Sequence, residues 1–82
     1  MKEHMEKRSV GIHTSPVELY KILKFEAVAA SGGEAKFMIT GGHVKVNQRI
    51  ETRKRKKIYS GDTIETGNLI LEIRLQENDS PA

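Results

Sequence analysis

The chain has 82 residues, 14 Lys/Arg against 11 Asp/Glu, a net charge of +3 and no cysteine. That length supports one domain with a small core, and the lack of thiols excludes a disulfide framework and any thiolate metal site. The longest apolar runs, Ala27–Ala30 and Phe37–Ile39, fall far short of the ~20 residues that span a bilayer.

In chain order, the charged start MKEHMEKR has no apolar stretch behind it and does not read as a secretory signal. Residues 1–14 are expected to be a flexible N-terminal segment. Ser15–Pro16–Val17–Glu18 looks like a helix start: a serine cap, proline at the first helical position, glutamate three residues after the serine. Leu19, Ile22 and Leu23 then recur at helical spacing, which predicts a helix over 16–24. Ser31–Gly32–Gly33–Glu34 repeats the capping pattern ahead of Ala35, Met38 and Ile39, and Gly41–Gly42 supplies a left-handed stop. A second helix is expected over 32–40.

After Gly42 the apolar period changes to two. Val44 and Val46 alternate with His43 and Lys45, the chain turns at Asn47–Gln48, and Ile50 and Thr52 begin a return strand. Further turns at Ser60–Gly61–Asp62 and Thr66–Gly67–Asn68 frame Ile64, followed by a strand whose Leu69, Leu71, Ile73 and Leu75 share one face. The fold expected is α+β: two short N-terminal helices packed on a small, mostly antiparallel sheet of about three to five strands. The domain is expected over 15–75, with residues 76–82 a disordered tail.

The charge is directional. Residues 45–57 carry seven Lys/Arg and one acid, whereas 58–82 carry one against five. At its centre Arg53, Lys54, Arg55, Lys56 and Lys57 stand in a row between two strand signals. In an extended segment Arg53, Arg55 and Lys57 would face solvent, with Ile58 on the opposite, core side. A run of this kind can be a solvated edge strand guarded by lysines, an import signal or a polyanion site. Lys45 and Arg49 extend the positive region. The Ser31–Gly32–Gly33 helix start could offer N–H groups to a phosphate, with Lys36 one turn on. Lys21 and Lys24 lie on the outer face of the first helix.

Catalytic and metal chemistry find no footing. There is no GxxxxGK[ST] loop, no Ser/His/Asp constellation, and no ligand spacing among His4, His13 and His43. No cofactor, membrane partner or small-molecule substrate is expected. Four aromatics are present, Tyr20, Phe25, Phe37 and Tyr59. With both phenylalanines expected in the core, a stacking platform for single strands is not expected, which leaves backbone and shape recognition of folded RNA. An adaptor that docks an acidic protein through the basic strand is the alternative.

The residues SGGEAKFMITGGHVKVN, 31–47, followed by Gly61–Asp62, resemble the RNA-binding domain of the ribosomal small-subunit protein S-four type, also called the alpha-L domain. The likeness extends through VELYKILKFE and ETRKRKKI to small stand-alone bacterial members of the YbcJ type and covers about residues 15–66. The resemblance implies a non-catalytic, monomeric module in the bacterial cytoplasm that binds structured, chiefly ribosomal, RNA. Its RNA face would map onto Gly32, Gly33, Lys36, Lys45, Asn47 and Arg49, with Arg53, Lys54, Arg55, Lys56 and Lys57 added from the YbcJ-type match. Two departures stand out. Gly32 occupies a position where many relatives have arginine, and Asn47–Gln48 replaces the common Asn–Gly, which leaves the turn type open.

Overall fold

The computed structural model describes residues 5–76. Strand β1 (Glu6–Ile12) leads to a two-residue strand β2 (Val17–Glu18) and helices α1 (Leu19–Phe25) and α2 (Gly32–Thr40). Then come β3 (Lys45–Val46), β4 (Arg49–Ile50), β5 (Lys57–Ile58), β6 (Thr63–Thr66) and β7 (Leu69–Leu75). Five strands form one sheet in the order β1-β7-β6-β3-β4, and β2 and β5 form a separate antiparallel ribbon. The α+β architecture is as expected, except that β1 runs parallel to β7 and makes the sheet mixed.

Alternation sets the two faces of the sheet. Ile64 opposes Leu71, and Val10 pairs with Ile73. These residues are buried against Leu19, Ile22 and Leu23 of α1 and Ala35 and Ile39 of α2. Both helices therefore cover one face. The register sends Lys45, Glu65, Ile70 and Glu72 to the other. No polar or charged residue is buried among those described.

Three expectations need correction. First, the stretch expected to be flexible over 1–14 contains β1, and Val10 and Ile12 lie in the core. Its partner strand lies some 60 residues away in sequence, as in the pair Val10–Ile73, so no local pattern announces it. Gln76 continues the pairing, its N–H donating to the Ile12 carbonyl at 2.8 Å; the rest of the tail expected over 76–82 lies outside the described residues.

Second, the first helix begins at Leu19, not at residue 16, and Ser15 does not cap it. The Ser15–Pro16 peptide is cis, and Val17–Glu18 pairs as β2 with β5. The helix's first N–H groups find partners elsewhere: Leu19 donates to the Lys56 carbonyl at 2.9 Å and Tyr20 to the Lys54 carbonyl at 3.2 Å. A tertiary contact has taken the place of a local cap.

Third, Phe25 and Phe37 are 68% and 74% exposed, not in the core. Each lies two residues beyond a buried position, Leu23 and Ala35, about 200° round the helix. Leu75, expected on the apolar face of β7, is exposed at the strand's end.

Helix α2 occupies its expected range. Ser31 Oγ accepts from the Glu34 N–H at 3.1 Å, and Glu34 Oε1 accepts from the Ala30 N–H at 2.8 Å. At the other end Gly42, with φ +82°, is the left-handed residue. It donates to the Ile39 carbonyl while His43 donates to that of Met38.

Candidate nucleic-acid interface

The basic run is a folded turn, not the extended strand that alternation would suggest. Glu51 organises its start. One carboxylate oxygen accepts from the Arg53 N–H at 3.0 Å and from Arg53 Nε at 2.9 Å, and the other accepts from Nη2 at 3.3 Å. The Lys56 N–H then closes on the Arg53 carbonyl at 3.2 Å, and the chain re-extends only at β5. The carbonyls of Lys54 and Lys56 point inward to α1, where they serve as its missing cap. Polar backbone is thereby satisfied inside, while four of the five cationic side chains are exposed and Lys56 is half-buried. The solvent-facing row expected at Arg53, Arg55 and Lys57 therefore also includes Lys54.

The electrostatics follow from this fold. The hydrogen bond from the Arg53 side chain, above all, holds the Glu51 carboxyl below its usual value; the Arg53 N–H and the charges of Arg53 and Lys56 add to this against the cost of burial. Glu51 in turn raises the Arg53 guanidinium. Among the described residues Lys54, Arg55, Lys56 and Lys57 make no ion pair. Glu51, which feels the charge of Lys56, and Glu18, opposite Lys57 in the β2–β5 register, offset these four like charges only in part, and the surplus gives a site of positive potential.

The start of α2 is joined to this turn through Tyr20. The Lys36 ammonium sits 4.6 Å from the centre of the Tyr20 ring, and Tyr20 is the residue whose N–H meets the Lys54 carbonyl. Gly32 lies under the same ring: a Cβ there would stand 3.8 Å from Tyr20 Cε2. With Glu34 and Ala35 bonded to Ser31, the first-turn donors that remain belong to Gly32 and Gly33.

The β3–β4 hairpin divides its candidates. Val46 opposes Arg49, and Lys45 opposes Ile50 and Glu65. Opposed residues share a face, so Arg49 projects on the helix-bearing side and Lys45 on the other. The single surface expected to hold both does not form. Asn47 and Gln48 have φ of +52° and +73°, which makes the turn type I′. The Asn47 side chain is engaged within the protein: Nδ2 donates to Asp62 at 3.0 Å, and Oδ1 accepts from the Thr63 N–H at 3.0 Å.

The sequence reading missed the aromatic component. Tyr59 is 50% exposed and lines a groove with Arg53, Arg55, Lys56 and Lys57. Helical spacing would have placed Phe25 and Phe37 outside, had it been weighed against their hydrophobicity. Among the described residues no helix is long and apolar enough to cross a membrane.

Comparison with known proteins bears on this arrangement. The S4 domain profile matches residues 10–74, most of the chain and all of the elements just described except the first residues of β1 and the end of β7. The chain belongs to the S4 domain family. It is 48% identical over 56 residues, 68% of this chain and 79% of the relative, to the Escherichia coli (strain K12) protein named "Putative RNA-binding protein YbcJ". It is 36% identical, over the same shares of each chain, to the Bacillus subtilis (strain 168) protein named "Probable ribosome maturation protein RlbA". The solution structure of E. coli YbcJ, described as revealing an alfaL motif involved in RNA-binding, superposes with a TM-score of 0.59 at 38% identity, covering 90% of this chain and 92% of that one. The family's fold is thus the fold seen here, with two helices on one face of a small sheet.

Proposed function

We propose that this chain is a non-catalytic, monomeric RNA-binding protein of the bacterial cytoplasm that recognises structured RNA, ribosomal RNA first, through its backbone phosphates. The basic turn carries the reading. Lys54, Arg55, Lys56 and Lys57 have no ionic partner among the described residues, and their backbone is fixed on the start of α1 by two hydrogen bonds. Such a platform presents charge without having to order itself on binding. Lys36, Gly32 and Gly33 adjoin it through Tyr20, and Arg49 lies on the same side of the sheet. Lys45 falls outside this surface, and Asn47 shapes the hairpin instead of touching RNA. The names of the relatives, one for RNA binding and one for ribosome maturation, support the same direction. Contacts of this kind position a protein on its RNA and carry little sequence information.

Salt dependence tests the proposal. With about five phosphates neutralised, log affinity for a ribosomal RNA fragment falls against log salt with a slope of about −3.5 to −4.5. Replacing Lys54, Arg55 and Lys57 together by alanine, with the Glu51–Arg53 link left intact, weakens binding across sequences and flattens that slope. A slope near zero would refute phosphate recognition. If proteins captured by the chain survive ribonuclease treatment, the adaptor reading replaces it.

A further inference from the structure

Two grooves meet at Lys57. One, of about 430 Å³, is lined by Arg53, Arg55, Lys56, Lys57 and Tyr59. The other, of about 450 Å³, includes Pro16, Val17, Glu18, Lys21, Phe25 and Lys57. Each holds one exposed aromatic ring, Tyr59 at 50% and Phe25 at 68%. Both rings lie beside anchored backbone: Tyr59 follows the buried Ile58 and its N–H donates to Asp62 Oδ2 at 2.8 Å, and Phe25 ends α1. A cation accompanies each, with Lys24 5.5 Å from the Phe25 ring centre. Glu18 is the one acid among the lining residues, and Lys21 stands 3.7 Å from it.

Aromatic faces alternating with cations are the composition that takes unpaired nucleotides, since every base has a π-face and every linkage a phosphate. A continuous duplex keeps its bases stacked inside and gives such rings nothing to meet. We propose that the two grooves form one track for a single-stranded RNA segment. Tyr59 and Phe25 each stack one base, and Arg55, Lys56 and Lys57 hold the phosphates between them. This rests on the RNA-binding reading and narrows it to RNA whose folded part adjoins unpaired nucleotides.

The test compares a hairpin RNA bearing a single-stranded extension of about six nucleotides with the same hairpin left blunt. The extended RNA binds more tightly. Tyr59→Ala and Phe25→Ala each lower affinity for it by about 5- to 150-fold and leave the blunt hairpin unaffected. Tyr59→Phe and Phe25→Tyr retain binding, and the salt slope does not change because no cation is removed. In the unaltered protein, the ring proton signals of Tyr59 and Phe25 move on addition of the extended RNA and stay in place with the blunt one. Equal affinities with unmoved rings would overturn the track and leave phosphate recognition standing. Failure to bind either RNA would remove both.

Discussion

Ala27 and Gln48 hold φ of +60° and +73°, a region that side chains with a Cβ enter at a cost of about 1–2 kcal/mol. Ala27 is the left-handed residue that ends α1, its N–H on the Lys24 carbonyl and that of Val28 on Leu23. Gln48 is the second central residue of the type I′ turn, where glycine is favoured. Both are exposed, so a glycine there loses no packing. Ala27→Gly and Gln48→Gly are each expected to stabilise the protein by about 0.5–1 kcal/mol after the entropy of glycine in the unfolded chain is set against the relief. That is a rise of roughly 2–8 °C in thermal midpoint for a domain of this size. A fall in either midpoint would show that the turn tolerates its present residue without strain. Asn47 marks what single residues conceal. Its place in the family's motif suggested an RNA contact, whereas the structure gives its amide to Asp62 and Thr63 at the entry to the neighbouring strand β6.

Helix α2 was legible because its signals are local: serine, glutamate three residues on, a glycine pair at the end. Helix α1 carries the same serine and glutamate signal at its start, yet it starts later, because Val17–Glu18 gains a strand partner and the carbonyls of the basic turn replace Ser15 as its cap. The turn was misread for a related reason. Alternation presumes an extended chain, and Glu51 bends it by binding Arg53 two residues on. The pH dependence of that link can be measured. The Glu51 carboxyl titrates below its ordinary 4.5, first because the Arg53 side chain is hydrogen-bonded to it. A group whose pKa is lower folded than unfolded contributes stability in full above its unfolded value and loses it as pH falls through the folded one. Wild type is therefore more stable than Glu51→Gln near neutrality, and the gap between their unfolding midpoints closes as pH drops below 4.5. A gap that stayed undiminished as pH fell through the folded-state titration would assign the effect to shape instead of charge.

Across the molecule, the two sheet faces differ in what they carry. The helix-bearing face holds the core and, at its margin, the basic turn, Lys36 and Arg49. The bare face mixes Lys45 with Glu65 and Glu72 and has no sign of its own. That division depends on β1, the element least visible in the sequence, which shields the far edge of β7 and adds Val10 and Ile12 to the apolar cluster. A domain of about 70 residues has roughly 4–11 kcal/mol of net stability. Ile12 is 6% exposed, and truncating a buried isoleucine to alanine costs about 2–5 kcal/mol. Ile12→Ala is thus expected to lower the thermal midpoint by roughly 10 °C or more in a single transition, with the circular dichroism of the helices lost together with the strands. Leu75→Ala is the control. It lies beside Ile12 in the register but is 42% exposed, so it should cost well under half as much. If Ile12→Ala changed the midpoint no more than Leu75→Ala, β1 would be an appendage to the cooperative unit, in keeping with the flexible segment expected over residues 1–14. A large, single-step loss would make the N-terminal strand part of what holds the basic turn in place, since the sheet it completes is the floor on which α1 rests.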